Sequence, residues 1–163
     1  MNLTFTSDGK INGTISLDDK ERKLFVDTGG QRISNIQVDG VNYLAFGDNI
    51  VYLMDGQTGQ HSINIQLGTT TPDWVHLTYV NTSISSLTSV ITMPEQSKFK
   101  FSISASSGSI SITKVYCGSK GKPTSVDGAS SWSYDDATKI CTVTVEHSSV
   151  KTIEISWGDS PSN

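Results

Sequence analysis

Charged residues are scarce in this chain, and its few cations are not clustered. Asp, Glu, Lys and Arg make up 17% of the 163 residues, and 16 acidic side chains outnumber 12 basic ones, for a net charge of −4. Nucleic acids and anionic membrane surfaces are bound through concentrated positive charge. The composition therefore argues against both as partners.

Long apolar runs are also missing. None approaches the roughly 20 residues of a membrane-spanning helix, and residues 1–7 lack the basic and apolar stretches of an export signal. Residues 158–163 resemble the start of a linker or disordered tail. We therefore expect a module cut from a larger protein, tethered to other domains.

Motifs for catalysis are absent as well. The three histidines, His61, His76 and His147, are scattered along the chain without the spacing of a zinc site. Residues 118–124 imitate a phosphate-binding loop, but Pro123 interrupts the pattern. No Gly-x-Ser-x-Gly sequence occurs. We therefore expect a chain that is not itself an enzyme and that needs no cofactor.

Calcium is the one metal that the composition could support. Asp48, Asp55 and the acidic pair at 135–136 place hard oxygen ligands in predicted loops. Their spacing does not match a twelve-residue EF-hand loop, and Asp in loops commonly serves to make turns. A structural calcium ion is therefore the minor alternative to no metal.

Apolar and polar residues alternate with a period of two through most of the chain, which is typical of β-strands. Ser and Thr occupy 43 of 163 positions and dominate the polar faces. Sheets that are apolar on one side pack in pairs, so we predict an all-β, antiparallel, jelly-roll-like β-sandwich. Its predicted core faces are marked by Phe99, Phe101, Ile103, Ile110, Ile112, Cys141, Val143, Val145, Ile153, Ile155 and Trp157.

Turn residues divide the pattern into short strands. Asp39-Gly40 predicts a two-residue hairpin between residues 32–38 and 41–46. Ser107-Gly108 predicts a similar hairpin between 97–105 and 109–117, and residues 135–139 predict a longer turn. We predict one domain over residues 1–157. The alternative is two small subdomains divided near Pro72.

The two cysteines, Cys117 and Cys141, lie at the end of one predicted strand and inside a later one. A bridge between them would close a loop slightly longer than the ~15 residues for which chain entropy gives about 3 kcal/mol. We predict this disulfide for protein made in an oxidising compartment. The alternative is two unconnected thiols, since Cys141 shares the core phase of Val143.

An aromatic segment supplies the candidate ligand site. Alternation over residues 74–79 places Val75, Leu77 and Tyr79 on one face, which leaves Trp74 and His76 exposed on the other. An exposed Trp beside polar groups offers a flat platform to a sugar ring. The alternative is that Trp74 closes one end of the core. The candidate ligand-binding residues are Trp74, His76, Tyr43, Tyr52, Asp48 and Asp55.

The C-terminal quarter carries a resemblance. Residues 121–128 (GKPTSVDG), Trp132-Ser-Tyr-Asp-Asp, residues 141–145 (CTVTV) and Ile153-Glu-Ile-Ser-Trp157 resemble the final strands of β-sandwich accessory domains of extracellular glycoside hydrolases, including those that follow the catalytic barrel of family 31 enzymes. The resemblance implies a polysaccharide-related or cell-surface context and assigns no functional residue.

These observations lead to three functional expectations. The first is a non-catalytic carbohydrate-binding or accessory module of an extracellular polysaccharide-degrading enzyme, with a polysaccharide or oligosaccharide as its partner. The second is a structural or adhesive cell-surface domain, which would share the composition and lack the ligand platform. The third is a β-sandwich polysaccharide lyase or hydrolase, which would need a convergent acid and base.

Overall fold

The computed structural model describes residues 2–5, 9–17, 23–53, 58–71, 74–82, 84–92, 98–148 and 150–157. Within these residues the alternating sequence forms fifteen strands, and a single 3-10 turn at Gly118–Lys120 follows the eleventh. The strands are β1 (Asn2–Phe5), β2 (Lys10–Leu17), β3 (Lys23–Phe25), β4 (Arg32–Val38), β5 (Val41–Asn42), β6 (Ile50–Tyr52), β7 (Gly59–Gly68), β8 (His76–Val80), β9 (Ser85–Thr92), β10 (Lys98–Ala105), β11 (Ile110–Tyr116), β12 (Ser125–Asp127), β13 (Ser131–Asp135), β14 (Ile140–Glu146) and β15 (Lys151–Ser156).

The strands form four antiparallel sheets. The first seven strands give a five-stranded sheet in the order β1-β2-β7-β4-β5 and a two-stranded sheet, β3-β6. The last eight give two four-stranded sheets, β12-β15-β10-β9 and β13-β14-β11-β8. The predicted all-β, antiparallel sandwich class is therefore confirmed. The finer jelly-roll arrangement stays a prediction.

Alternation correctly located most of the C-terminal core. The inward side chains of β10, β14 and β15 are fully buried, as the period of two requires. They are Phe99, Phe101, Ile103, Cys141, Val143, Val145, Ile153 and Ile155. Trp157 is also buried as predicted, and its indole N–H donates to the carbonyl of Gly121 at 2.9 Å.

The predicted core face of β11 is wrong. Ile110 and Ile112 are 57% and 42% exposed, while Ser111 and Thr113 are fully buried. A hydroxyl can be buried when it finds a hydrogen-bond partner, and the Ser111 hydroxyl lies 2.6 Å from Nε2 of the buried His147. The partner that makes burial of Ser111 tolerable is 36 residues away, so local alternation does not reveal it. The Thr113 hydroxyl is buried without a partner among the described residues.

Two of the three predicted turns join paired strands. Val38 pairs with Val41 around Asp39-Gly40, and both turn residues have positive φ, as a type I′ hairpin requires. Asp135 pairs with Ile140 around the longer turn. The hairpin predicted at Ser107-Gly108 is wrong, because β10 and β11 lie in different sheets and the turn carries the chain from one to the other.

The strands before the β7–β8 loop form two of the sheets, and the strands after it form the other two. The subdomain boundary predicted near Pro72 falls in the same loop. Pro72 itself lies outside the described residues. Across this division the backbone N–H of Leu77 donates to the carbonyl of Leu44 at 2.7 Å, and the N–H of Phe46 donates to that of Leu77 at 2.9 Å. Residues 44–46 therefore lie alongside β8 at the edge of its sheet. The buried side chains of the first seven strands and of the last eight form one continuous cluster.

Candidate functional site

The predicted aromatic platform on β8 is disrupted by a β-bulge. Leu77 pairs with Val115 and Tyr79 pairs with Lys114, so Thr78 is an extra residue on its strand. An extra residue reverses the alternation beyond it. Tyr79 is therefore 39% exposed on the face predicted to be polar, although Leu77 is fully buried as predicted.

His76 and Trp74 are not the open surface that the alternation predicted. His76 is fully buried, because its ring stacks on Phe46 at a centroid distance of 4.3 Å on one side and lies 5.4 Å from the Tyr116 ring. Trp74 is partly buried and packs against the core. Both faces of the strand are covered here, so the predicted exposure of these two residues is wrong.

Three of the predicted site residues nevertheless lie in one region. Nδ1 of His76 is 2.9 Å from the carbonyl of Trp74, and Arg32 contacts Asp48 through Nη1 and Oδ1 at 2.7 Å. Burial, together with the nearby Arg32 charge, lowers the pKa of His76 to about 4, although the hydrogen bond to the Trp74 carbonyl opposes this shift. The neutral ring donates from Nδ1 to the Trp74 carbonyl, which leaves Nε2 as an acceptor.

Three polar atoms of this region are buried without a hydrogen-bond partner among the described residues. They are Nε1 of Trp74, Nε2 of His76 and Nη2 of Arg32. Burying a polar atom without a hydrogen-bond partner costs free energy. The Trp74 and Arg32 nitrogens are donors, and Nε2 of His76 is an acceptor. A water molecule or a hydroxyl group has the complementary capacity to accept from one and donate to another.

The predicted tyrosines are also buried. The Tyr43 hydroxyl donates to the carbonyl of Tyr52 at 2.5 Å, and burial raises the pKa of both phenols. Tyr52 meets the Tyr79 ring edge to face at 6.4 Å. Their predicted role at the surface is therefore wrong, since both side chains fill the core. Asp55 lies outside the described residues.

The two cysteines are free thiols in this structure, so the predicted bridge is not formed here. Both are buried, and Cys141 pairs with Val115, two residues before Cys117. Burial raises the pKa of Cys117 to about 12 and that of Cys141 to about 11, which keeps both protonated. The bridge in oxidised protein stays a prediction.

One Ser–His pair has the geometry of a nucleophile and a base, but it is buried. The Ser111 hydroxyl and Nε2 of His147 are 2.6 Å apart, and both residues are almost completely inaccessible. A nucleophile must reach its substrate. We therefore interpret this pair as a structural contact that satisfies two buried polar groups.

A polar groove lies on the outward face of the five-stranded sheet. It has a volume of about 260 Å³ and is lined by Lys10, Asn35, Gln37, Asn64 and Gln66. These residues come from β2, β4 and β7, which are neighbours in the sheet. Oδ1 of Asn35 is buried there without a partner among the described residues. The groove therefore presents mainly amide donors and acceptors.

The amides lie in register across the strands. Asn12 pairs with Asn64, Asn64 with Gln37, and Gln37 with Asn42. We call these four residues the amide ladder. Nε2 of Gln37 donates to Oδ1 of Asn42 at 3.4 Å, so the last two amides orient each other.

A second row lies beside the ladder. Gln66 pairs with Lys10 on one side and with Asn35 on the other. Ile33 points into the core, and strict alternation would point Asn35 inward as well. A bulge at Ser34 instead lets Asn35 point outward. The ladder spans four strands and the second row three, and together they make a polar surface with a single cation among the groove residues.

Sequence reasoning missed this surface although part of the signal is visible. Every second residue from Gln60 to Gln66 is polar, and Asn35 and Gln37 repeat the pattern on β4. Alternation identifies such residues as outward-facing. Their alignment depends on β7 lying between β2 and β4, which the order of strands along the chain does not predict.

A histidine–carboxylate pair lies at the turn end of the same sheet. Nδ1 of His61 is 2.7 Å from Oδ2 of Asp39, and Nε2 is 2.9 Å from the carbonyl of Thr58. The hydrogen bond with Asp39 raises the pKa of His61, and the same bond lowers that of Asp39. The backbone N–H of Ser62 also donates to Asp39 at 3.0 Å, so this carboxylate fixes the hairpin.

Among the described residues, no group of three or more His, Cys, Asp or Glu side chains is placed to hold a metal ion. The part of the chain that the structure describes contains no helix of the length and apolarity needed to cross a membrane.

Comparison with protein-family models, with curated proteins and with solved structures gives no match for this chain.

Proposed function

We propose that this chain is a non-catalytic carbohydrate-binding module and that the outward face of the five-stranded sheet is its ligand surface. The observation that carries the proposal is the groove of about 260 Å³, in which four amides and one lysine converge. Amide groups donate and accept hydrogen bonds at once. Sugar hydroxyls have the same dual capacity, so the groove complements a hydroxyl-rich ligand.

The character of the groove favours binding over catalysis. Glycoside hydrolysis requires a pair of carboxyl groups, and the five groove residues include none. Amides neither titrate near neutral pH nor act as nucleophiles. The same surface therefore supports recognition of a glycan more readily than cleavage of one.

The wider context follows from the C-terminal resemblance. Residues 121–157 resemble accessory domains of extracellular glycoside hydrolases, so we place the module at the cell surface or outside the cell, tethered to a polysaccharide-degrading enzyme. In that position it would hold the enzyme on its substrate. Tethering raises the effective concentration of the enzyme at the polymer without any new contact at the active site.

The test is retention by polysaccharides in affinity electrophoresis. Cellulose derivatives, xylan, mannan, starch and pectin are cast into native gels, and the wild type is compared with the double variant Gln37→Ala/Asn64→Ala. We expect at least one polysaccharide to retain the wild type and the double variant to bind at least ten-fold more weakly, because two of the four groove amides are removed.

Gln31→Ala is the matched control, since Gln31 is an exposed amide in the loop before β4. It should bind as the wild type does. Urea unfolding of all variants separates lost binding from lost folding. The proposal fails if no polysaccharide is retained, or if the double variant binds like the wild type. Release of reducing sugar by the module alone would contradict its non-catalytic character.

A structural or adhesive role is the second candidate, and one observation favours it. Ile110 and Ile112 are exposed on β11, a central strand of its sheet, with Lys114 next along the strand. Exposed aliphatic side chains mark a protein contact when they form a contiguous apolar patch, and Ile110 and Ile112 lie on the same face of β11. Concentration-dependent sedimentation that Ile112→Thr abolishes, without any polysaccharide retention, would support this candidate instead.

A further inference from the structure

The amide ladder indicates how a glycan would lie on the sheet. Resting on the proposed function, we infer that the ligand is an internal stretch of an extended, uncharged polysaccharide that crosses the strands along Asn12, Asn64, Gln37 and Asn42. The register places these four side chains on four successive strands, β2, β7, β4 and β5.

The spacing of the ladder is set by the sheet. Neighbouring strands are about 4.8 Å apart, so four strands give a row about 14 Å long. Asn64 and Asn42 are exposed, and Asn12 and Gln37 are half-buried. A ligand that runs across the strands therefore meets an amide at each step. A ligand parallel to the strands would meet only one ladder residue.

The ladder also indicates the chemistry of the chain it would hold. All four ladder residues are neutral amides, so successive sugars meet hydrogen-bonding groups along the ladder. The single cation of the groove, Lys10, pairs with Gln66 in the second row. The row ends on β5, which is the edge strand of the sheet. A polymer that follows the row can continue past this edge, which favours binding within a chain over binding at its end.

The test is a chain-length series. Oligosaccharides of two to six sugars are prepared from the neutral polysaccharide that is retained most strongly, and their affinities are measured by isothermal titration calorimetry. We expect the affinity to rise at least ten-fold from the disaccharide and to level off at about four sugars, one for each amide of the ladder.

Variants at the end of the ladder sharpen the test. Asn42→Ala should lower the affinity for the tetrasaccharide about five-fold and shift the plateau to about three sugars, since one contact on β5 is removed. Asn42 is exposed on a two-residue edge strand, so the variant should fold normally. Gln31→Ala is again the control and should leave the length profile unchanged.

The outcomes separate this inference from the proposed function. If no polysaccharide is retained, the proposed function fails and the inference fails with it. If a polysaccharide is retained but the disaccharide binds as tightly as the hexasaccharide, only the inference is overturned. Preference for pectin fragments over neutral ones, or a length profile that Asn42→Ala does not change, would overturn it as well.

Discussion

The five-stranded sheet β1-β2-β7-β4-β5 and the four-stranded sheet β13-β14-β11-β8 each turn one face to the core and one to solvent, but the solvent faces differ. The first aligns neutral amides in the groove, and the second exposes Ile110 and Ile112 beside Lys114. One backbone geometry thus supports a polar recognition surface in one region and a partly aliphatic surface in the other. The difference lies in which side chains occupy the outward positions and, for the amides, in the register that aligns them.

Truncation of the core should have the largest effect and tests whether the two regions unfold together. Phe101→Ala, in the C-terminal sandwich, and Ile36→Ala, in the five-stranded sheet, each remove a fully buried side chain. We expect Phe101→Ala to lower the free energy of unfolding by about 3–5 kcal/mol and Ile36→Ala by about 2–5 kcal/mol. Urea unfolding followed by amide hydrogen exchange measures both.

Because Leu77 is hydrogen-bonded to both Leu44 and Phe46, the amides of the two regions should lose protection at one common urea midpoint in each variant. The conservative variant Ile36→Val should lower the free energy of unfolding by only about 0.5–1.5 kcal/mol, so that midpoint should fall slightly. Separate midpoints for β7 and β14 would show instead that the regions behave as two subdomains.

Lowering the pH should weaken the contact between the first seven strands and the last eight, to which the stacked rings of His76 and Phe46 contribute. The pKa of His76 is about 4 in the folded chain and about 6.5 in an unfolded one. The unfolded state therefore binds more protons between these values, so stability is full above pH 6.5 and falls as the pH is lowered towards 4. Linkage predicts a loss of about 3 kcal/mol over this window.

His76→Phe keeps an aromatic ring against Phe46 and removes the titrating group, so it should lose this pH dependence. His61 acts in the opposite sense, because its hydrogen bond with Asp39 raises its pKa and its stabilisation is lost as the pH rises. The difference between wild type and variant isolates His76. An unchanged slope in the variant would assign the effect to other groups.

A tryptophan comparison tests how far β8 is covered. Trp157 is buried and hydrogen-bonded to Gly121, whereas Trp74 is only partly buried. We expect Trp157→Ala to lower stability by about 3–5 kcal/mol and Trp74→Ala by about 1–3 kcal/mol. Trp74→Ala should leave polysaccharide retention unchanged.

Reduced retention by Trp74→Ala, at unchanged stability, would restore the aromatic platform that alternation predicted. Trp74→Phe serves as the control, because it keeps an aromatic ring and removes the indole N–H, which is buried without a partner among the described residues. It should cost less stability than the alanine variant.

The sequence predicted the sandwich class and the β10, β14 and β15 core because alternation is a local property. It could not predict the bulge at Thr78, which reverses the phase of Tyr79, because the bulge depends on pairing with β11. The sequence correctly predicted the hairpin turn at Asp39-Gly40. It wrongly paired β10 with β11, whereas β10 pairs with β15. The amide ladder requires strands that are distant in sequence to become neighbours.

The smallest expected effect tests the phase of β11 directly. Ile112 is 42% exposed and lies opposite Thr144 on the outward face. Ile112→Thr should therefore change the free energy of unfolding by no more than about 0.5 kcal/mol, as is usual for surface positions, and Thr suits an outward strand position.

A loss of about 2 kcal/mol or more in Ile112→Thr would instead indicate a core side chain and would restore the alternation predicted from the sequence. Val143→Thr on the adjacent strand is the matched comparison, because Val143 is fully buried and pairs with Thr113. The replacement exchanges a buried methyl group for a hydroxyl on the same face as the buried Thr113 hydroxyl, and it should cost about 1–3 kcal/mol. If Ile112 faces outward, the urea midpoint of Ile112→Thr lies near that of the wild type, and the midpoint of Val143→Thr lies well below it.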